Sequence, residues 1–176
     1  PRPCAVITGS NWRLEVLHTP GHLGNHLCFA WRGALFSGDH VMDWSTTLIS
    51  PPDGDLTDFM ASCTRLAARQ DRVYYPGHGD PVTDPAARVS NLIAHRKSRE
   101  MQVLAALRSG PATAATLTET IYSDVPRTLW PAAERNVLAH LIDLTERALV
   151  APETSVSVDA KFTLLSAPGP EAPPHT

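Results

Sequence analysis

No stretch of the 176 residues approaches the ~20 consecutive apolar residues that a membrane-spanning helix requires. Cysteine is scarce. The three thiols, Cys4, Cys28 and Cys63, are odd in number and unpatterned in spacing, which argues against a disulfide framework and fits idle thiols in a reducing compartment. A basic excess is missing too: 15 Lys and Arg against 18 Asp and Glu leave a formal charge of -3, so a polyanion gains nothing from net charge. No charged-then-apolar leader opens the chain, and with the reduced thiols this points to the cytoplasm. What remains is a globular composition, 43% hydrophobic and 19% charged, sufficient for one compact domain or two small ones. Proline is abundant at 16 residues, and the first residue is Pro1 rather than Met, as expected of a piece of something longer.

The chain reads as three zones and a tail. Residues 12–37 are β-like. The run Leu27-Cys28-Phe29-Ala30-Trp31, the turn Arg32-Gly33 and Ala34-Leu35-Phe36 predict a hairpin. A helix is expected from Thr57 or Asp58, with Phe59, Cys63, Leu66 and Ala67 on one face, and a short strand at Arg72-Val73-Tyr74-Tyr75. Strand, loop, helix and strand in that order suggest an α/β layer arrangement. A long helix begins near Pro85, a favourable first-turn residue, and ends at Gly110. Its charged middle, His95-Arg96-Lys97-Ser98-Arg99-Glu100, reads as a solvated face. Residues 113–165 then read helix, helix, hairpin: helices over 116–122 and 131–148, the latter with Val137, Leu141, Leu144 and Ala148 on one stripe, then strands at 155–158 and 161–165. That is a winged-helix pattern. The expected division is 1–95, 96–165 and a disordered tail over 166–176.

Eight histidines are many for this length, and three stand in loop punctuation at apparent strand ends. These are His22 in His18-Thr19-Pro20-Gly21-His22, His40 in Ser37-Gly38-Asp39-His40, and His78 in Tyr75-Pro76-Gly77-His78-Gly79. Each stretch sets a glycine immediately before a histidine or aspartate, where backbone freedom can aim the next side chain into a shared cleft. Imidazole and carboxylate suit a borderline divalent metal, and a carboxylate can bridge two ions. Each loop alone is an ordinary turn. All three in one short chain, 17 and 39 residues apart, point to a metal centre built from His22, Asp39 and His78.

These three loops in this order resemble the later metal motifs of the metallo-β-lactamase superfamily. With His95-Arg96-x-x-Arg99-Glu100 and a following winged-helix segment, the chain is similar to the β-lactamase-like protein 2 group over about residues 12–165. The resemblance implies the C-terminal half of an αββα sandwich followed by a small winged-helix domain. It implies that His22 binds one zinc, His78 a second, and Asp39 bridges both and serves catalysis; His18, His26 and His40 fall behind the ligands or on the substrate side. It further implies a hydrolase in which hydroxide held by metal attacks a thioester, another ester or a phosphodiester. The family's first ligand motif, His-x-His-x-Asp-His, does not occur in the sequence, and 21 residues precede His22. The chain is therefore expected to be an incomplete portion that holds zinc poorly alone, with the missing N-terminal half or a second copy as partner.

Expected substrates are small-molecule esters or thioesters, with RNA disfavoured by the charge of -3. The competing reading is a non-catalytic remnant that binds or scaffolds through its helical domain. DNA reading by the helix over 131–148 is weaker still, because Arg135 and Arg147 face Glu134, Asp143 and Glu146 rather than forming a basic stripe.

Overall fold

The computed structural model describes residues 5–165; Cys4 and the tail expected to be disordered, 166–176, lie outside the described residues. One compact unit runs to Glu100 and a second begins at Met101. No helix among the described residues is long and apolar enough to cross a membrane.

The first unit is built on β1 (Ala5–Thr8), β2 (Arg13–His18), β3 (Leu27–Trp31), β4 (Ala34–Gly38) and β5 (Val73–Pro76), hydrogen-bonded in that order. The first three pairings are antiparallel and β4–β5 is parallel, its crossover carrying α1 (Leu56–Ala67). The β3–β4 hairpin is the expected one, turning at Arg32 (φ 50) and Gly33 (φ 79), both positive as a tight two-residue hairpin turn requires. β1 lies upstream of the region expected to be β-like. All four of its residues are exposed, so it carries no burial pattern to read.

Alternation sorts the sheet into two faces. Leu17, Cys28, Ala30, Leu35, Ser37 and Tyr74 are buried on one. This layer also holds Phe59, Cys63 and Leu66 of α1, and the Tyr74 hydroxyl donates to the Leu66 carbonyl at 3.2 Å. The other face leaves Leu27, Trp31, Phe36 and Tyr75 at 40–44% exposure, with the Phe36 and Tyr75 rings stacked 5.6 Å apart.

α1 starts at Leu56, because Asp55 caps it by accepting from the Asp58 amide at 2.7 Å. Ala67, expected on its inner face, is exposed at the last turn, and Ser62 is buried instead, donating to the Pro20 carbonyl. α2 (Pro85–Leu107) opens as expected at Pro85, with Asp84 accepting from the Ala87 amide. Its charged middle is not uniformly solvated: Arg96 is 2% exposed. Val89, Leu92 and Arg96 follow the 3–4 spacing that turns a stripe inward, and the arginine falls on that stripe.

In the second unit, α3 (Ala114–Ile121) is capped by Thr113, α4 spans Trp130–Glu146, and β6 (Val150–Pro152) pairs antiparallel with β7 (Phe162–Leu164). Val103, Leu117, Leu141, Leu144, Val150 and Phe162 form one core. Ala148, expected on the α4 stripe, lies beyond the helix end with φ 54. Residues 155–158, expected as a strand, are loop. All four are exposed, so among the described residues neither face of that alternating run is buried.

Candidate metal centre

The three glycine-punctuated loops converge at one end of the first unit's sheet. β2 ends at His18, and the loop after it is closed by the Thr19 amide donating to the His26 carbonyl at 3.0 Å. α1 holds this loop from outside: Arg65 Nη2 donates to the His18 carbonyl at 2.9 Å and the Asp55 amide to the Gly21 carbonyl. β4 delivers Asp39 directly after Gly38. The β5 loop is pinned at its neck by reciprocal Tyr74–Val82 backbone bonds of 3.0 and 2.9 Å, and tied to β4 by the Gly77 amide donating to the Gly38 carbonyl.

Asp39 stands at the centre. Its Oδ2 lies 3.9 Å from His22 Nε2 and its Oδ1 lies 3.6 Å from His78 Nε2, so each carboxylate oxygen faces a different imidazole. His22 Nδ1 is 2.7 Å from the Leu48 carbonyl and must donate to it, which leaves the Nε2 lone pair of the neutral ring toward Asp39. Positive φ at Gly21 (138) and Gly38 (52) turns the backbone just ahead of His22 and Asp39. At Gly77 the requirement is space: a Cβ there would lie 2.5 Å from Asp39 Oδ1.

Two donors on one tetrahedral zinc, with bonds of ~2.1 Å, stand ~3.4 Å apart. The two observed separations, 3.6 and 3.9 Å, are close to that, and the donor types suit zinc. Donor number is the shortfall. Among the described residues no group of three or more His, Cys, Asp or Glu side chains is arranged to hold one ion. The residues present are two His–Asp pairs sharing one carboxylate, which fit half of each coordination sphere.

The other sequence-indicated histidines stand behind this trio. His18 Nε2 is 2.9 Å from the Gly24 carbonyl and braces the loop. His26 packs Nε2 against Gly38 while its Nδ1 meets Thr19 Oγ1 at 2.9 Å; desolvation, then the neighbouring His22, lowers its pKa. His40 is fully buried, 4.6 Å from the Phe59 ring and 5.6 Å from His26 between centroids. Burial, then His26, pushes its pKa down to about 3, so it is neutral near pH 7. Its Nδ1 has no hydrogen-bond partner among the described residues. The buried thiols are equally uncharged, burial pushing Cys28 up to about 11 and Cys63 to about 12.

Arg96 and three residues that the sequence did not single out complete the setting. Buried Thr47 donates to the carbonyls of Asp39 at 2.5 Å and His40 at 3.0 Å. Arg96 Nη2 donates to the Thr47 carbonyl. Arg88 donates through Nε to Met42 and through Nη2 to Ser45, at 2.7 and 2.6 Å. Between those carbonyls Trp44 is 72% exposed, against Gly79. Arg96 was read with a solvated face although it falls on the buried α2 stripe; Trp44 and Thr47 carry no periodic signal.

Residues 2–78 match the model of the metallo-beta-lactamase superfamily, and residues 113–158 match that of the beta-lactamase associated winged helix domain. The chain is 33% identical over 160 residues to a beta-lactamase-like protein 2 homolog of Drosophila melanogaster, covering 89% of this chain and 53% of that one. It is 31% identical over 145 residues to an atrochrysone carboxyl ACP thioesterase of Aspergillus fumigatus, covering 72% and 45%. A metallo-beta-lactamase family protein of Thermus thermophilus superimposes with a TM-score of 0.79 at 29% identity, covering 94% of this chain and 54% of that one. The chain thus spans about half the length of the curated relatives it matches.

Proposed function

Because the chain belongs to the metallo-beta-lactamase superfamily and carries its associated winged helix, we propose that it contributes one side of the metal centre of a hydrolase acting on thioesters or other esters. The observation that carries this is Asp39 with its two oxygens turned to two different imidazoles. The thioesterase names borne by two relatives, at 31% and 33% identity, support thioesters as the first class to test.

His22 and Asp39 Oδ2 would hold one zinc, and His78 and Asp39 Oδ1 a second. When bound, such ions supply Lewis acidity toward the carbonyl and acidify water so that it can attack near neutral pH. The chain's own residues fix where this happens. The Leu48 carbonyl sets the His22 tautomer, Thr47 anchors the backbone on both sides of the Asp39–His40 peptide, and neutral His40 keeps positive charge away from the carboxylate. Hydrolysis adds the oxygen of water to the acyl carbon, breaks the bond to sulfur or oxygen, and returns a proton to the leaving group.

The test compares wild type, Asp39→Asn and His78→Ala in the full-length protein, assaying acyl-N-acetylcysteamine hydrolysis and metal per chain by elemental analysis. Both variants are expected to lose turnover and bound metal together. Full turnover after either change would overturn the reading and favour a binding role for the helical unit.

A further inference from the structure

We propose that Trp44 and Leu48, two exposed side chains of the loop after Asp39, form the apolar wall that receives the acyl group of the substrate. The proposal rests on the hydrolase reading and names its substrate class as a thioester or ester with a long or aromatic acyl group.

Large apolar side chains are exposed singly on most surfaces and need no explanation. These two differ in placement. The Leu48 carbonyl holds His22, and Leu48 is 37% exposed. Trp44 is 72% exposed and lies against Gly79, beside His78; a Cβ on Gly79 would come within 2.7 Å of its Cδ1. One short loop therefore sets an apolar residue beside each candidate metal histidine.

The loop is also held. Arg88 binds the Met42 and Ser45 carbonyls that flank Asp43 and Trp44, and Thr47 is buried and bonded to the two residues behind. An exposed indole on a fixed loop offers a rigid, low-entropy contact surface. Charge selects among ligands. Asp43 and Asp80, both exposed, adjoin Trp44 and Gly79, so the rim repels a nucleic-acid backbone and accepts an uncharged acyl group.

Acetyl, benzoyl and decanoyl thioesters of N-acetylcysteamine are assayed on the full-length protein with added zinc. Trp44→Ala, an exposed change that leaves the core intact, is expected to lower kcat/KM for benzoyl and decanoyl substrates on the order of tenfold, through KM. Acetyl hydrolysis should change less than ~twofold, and Trp44→Phe should restore most of the loss. Equal loss on all three acyl groups, or none, overturns the proposal and leaves the hydrolase reading standing. Turnover that survives Asp39→Asn overturns the reading beneath it.

A second arm needs no turnover. The emission difference between wild type and Trp44→Phe isolates Trp44 from Trp12, Trp31 and Trp130. The thioether S-decyl-N-acetylcysteamine should shift that difference to the blue. No shift, or a response to a single-stranded oligoribonucleotide in place of the thioether, overturns the proposal.

Discussion

Arg96 of α2 lies over the ring of Phe59 of α1, its guanidinium carbon 5.4 Å from the ring centroid, while its Nη2 donates to the carbonyl of Thr47. Thr47 in turn donates to the Asp39 and His40 carbonyls, so a buried cation on one helix is two bonds from the central carboxylate's backbone. A guanidinium at 2% exposure is costly unless its donors are used, and here one of them is directed to a loop that the site needs.

Replacing Arg96 by Met keeps the bulk over Phe59 and strips the Thr47 carbonyl of this donor. A loss of ~2–4 kcal/mol is expected by urea denaturation. Arg96→Lys, with a charge but no planar fork, should fall between. A Met variant within ~0.5 kcal/mol of wild type would show that this bond contributes little.

Acid should weaken the first unit through the half-buried imidazole of His95. His95 has its Nδ1 buried without a hydrogen-bond partner among the described residues, and burial, then Arg96, pushes its pKa down to about 4 from 6.5. Between those two values the unfolded chain binds the proton and the folded chain does not. The stability is therefore fully present above pH 6.5 and is lost as pH falls toward 4. His95→Gln is expected to flatten the pH dependence of the urea midpoint in that window, and an unchanged slope would assign the acid sensitivity to other groups.

The convergence of His22, Asp39 and His78 was legible in the sequence because Gly-His and Gly-Asp pairs are local signals that survive without tertiary context. The β3–β4 hairpin and α2 were legible because their periodicity reports a buried face. Arg96 was misread as solvated, since a charged residue on an inward stripe requires a distant acceptor, the Thr47 carbonyl, that no local pattern announces. The 155–158 run failed in the opposite sense: it alternates like a strand, yet among the described residues no strand pairs with it and all four of its residues are exposed. β1 was missed because its four residues are all exposed, and among the described residues it is a strand through its pairing with β2.

The sheet face carrying Leu27, Trp31, Phe36 and Tyr75 should make this chain, expressed by itself, bind hydrophobic dye and self-associate. Phe36→Thr with Tyr75→Thr removes a stacked pair whose rings are 5.6 Å apart while keeping strand-compatible side chains. Dye fluorescence and weight-average mass by sedimentation should both fall, with the circular dichroism spectrum unchanged. If both stay at the wild-type level, the apolar face is not the surface through which the chain associates.

Three glycines separate space, backbone strain and neither. A Cβ on Gly77 would sit 2.5 Å from Asp39 Oδ1, so Gly77→Ala must displace the carboxylate that both imidazoles face. Loss of metal and of roughly 100-fold in kcat/KM is expected, since misplacement by about 1 Å costs that much. Gly79 has φ +91, and a Cβ there would lie 2.7 Å from Trp44 Cδ1. Gly79→Ala should therefore cost ~1–2 kcal/mol of stability and shift tryptophan emission while metal content is kept. Gly24, whose Cβ would meet nothing nearer than 3.9 Å, is the control, and Ala there should change neither metal nor activity. If Gly77→Ala retains metal while Gly79→Ala loses it, the site is organised around His78 and its loop rather than around Asp39.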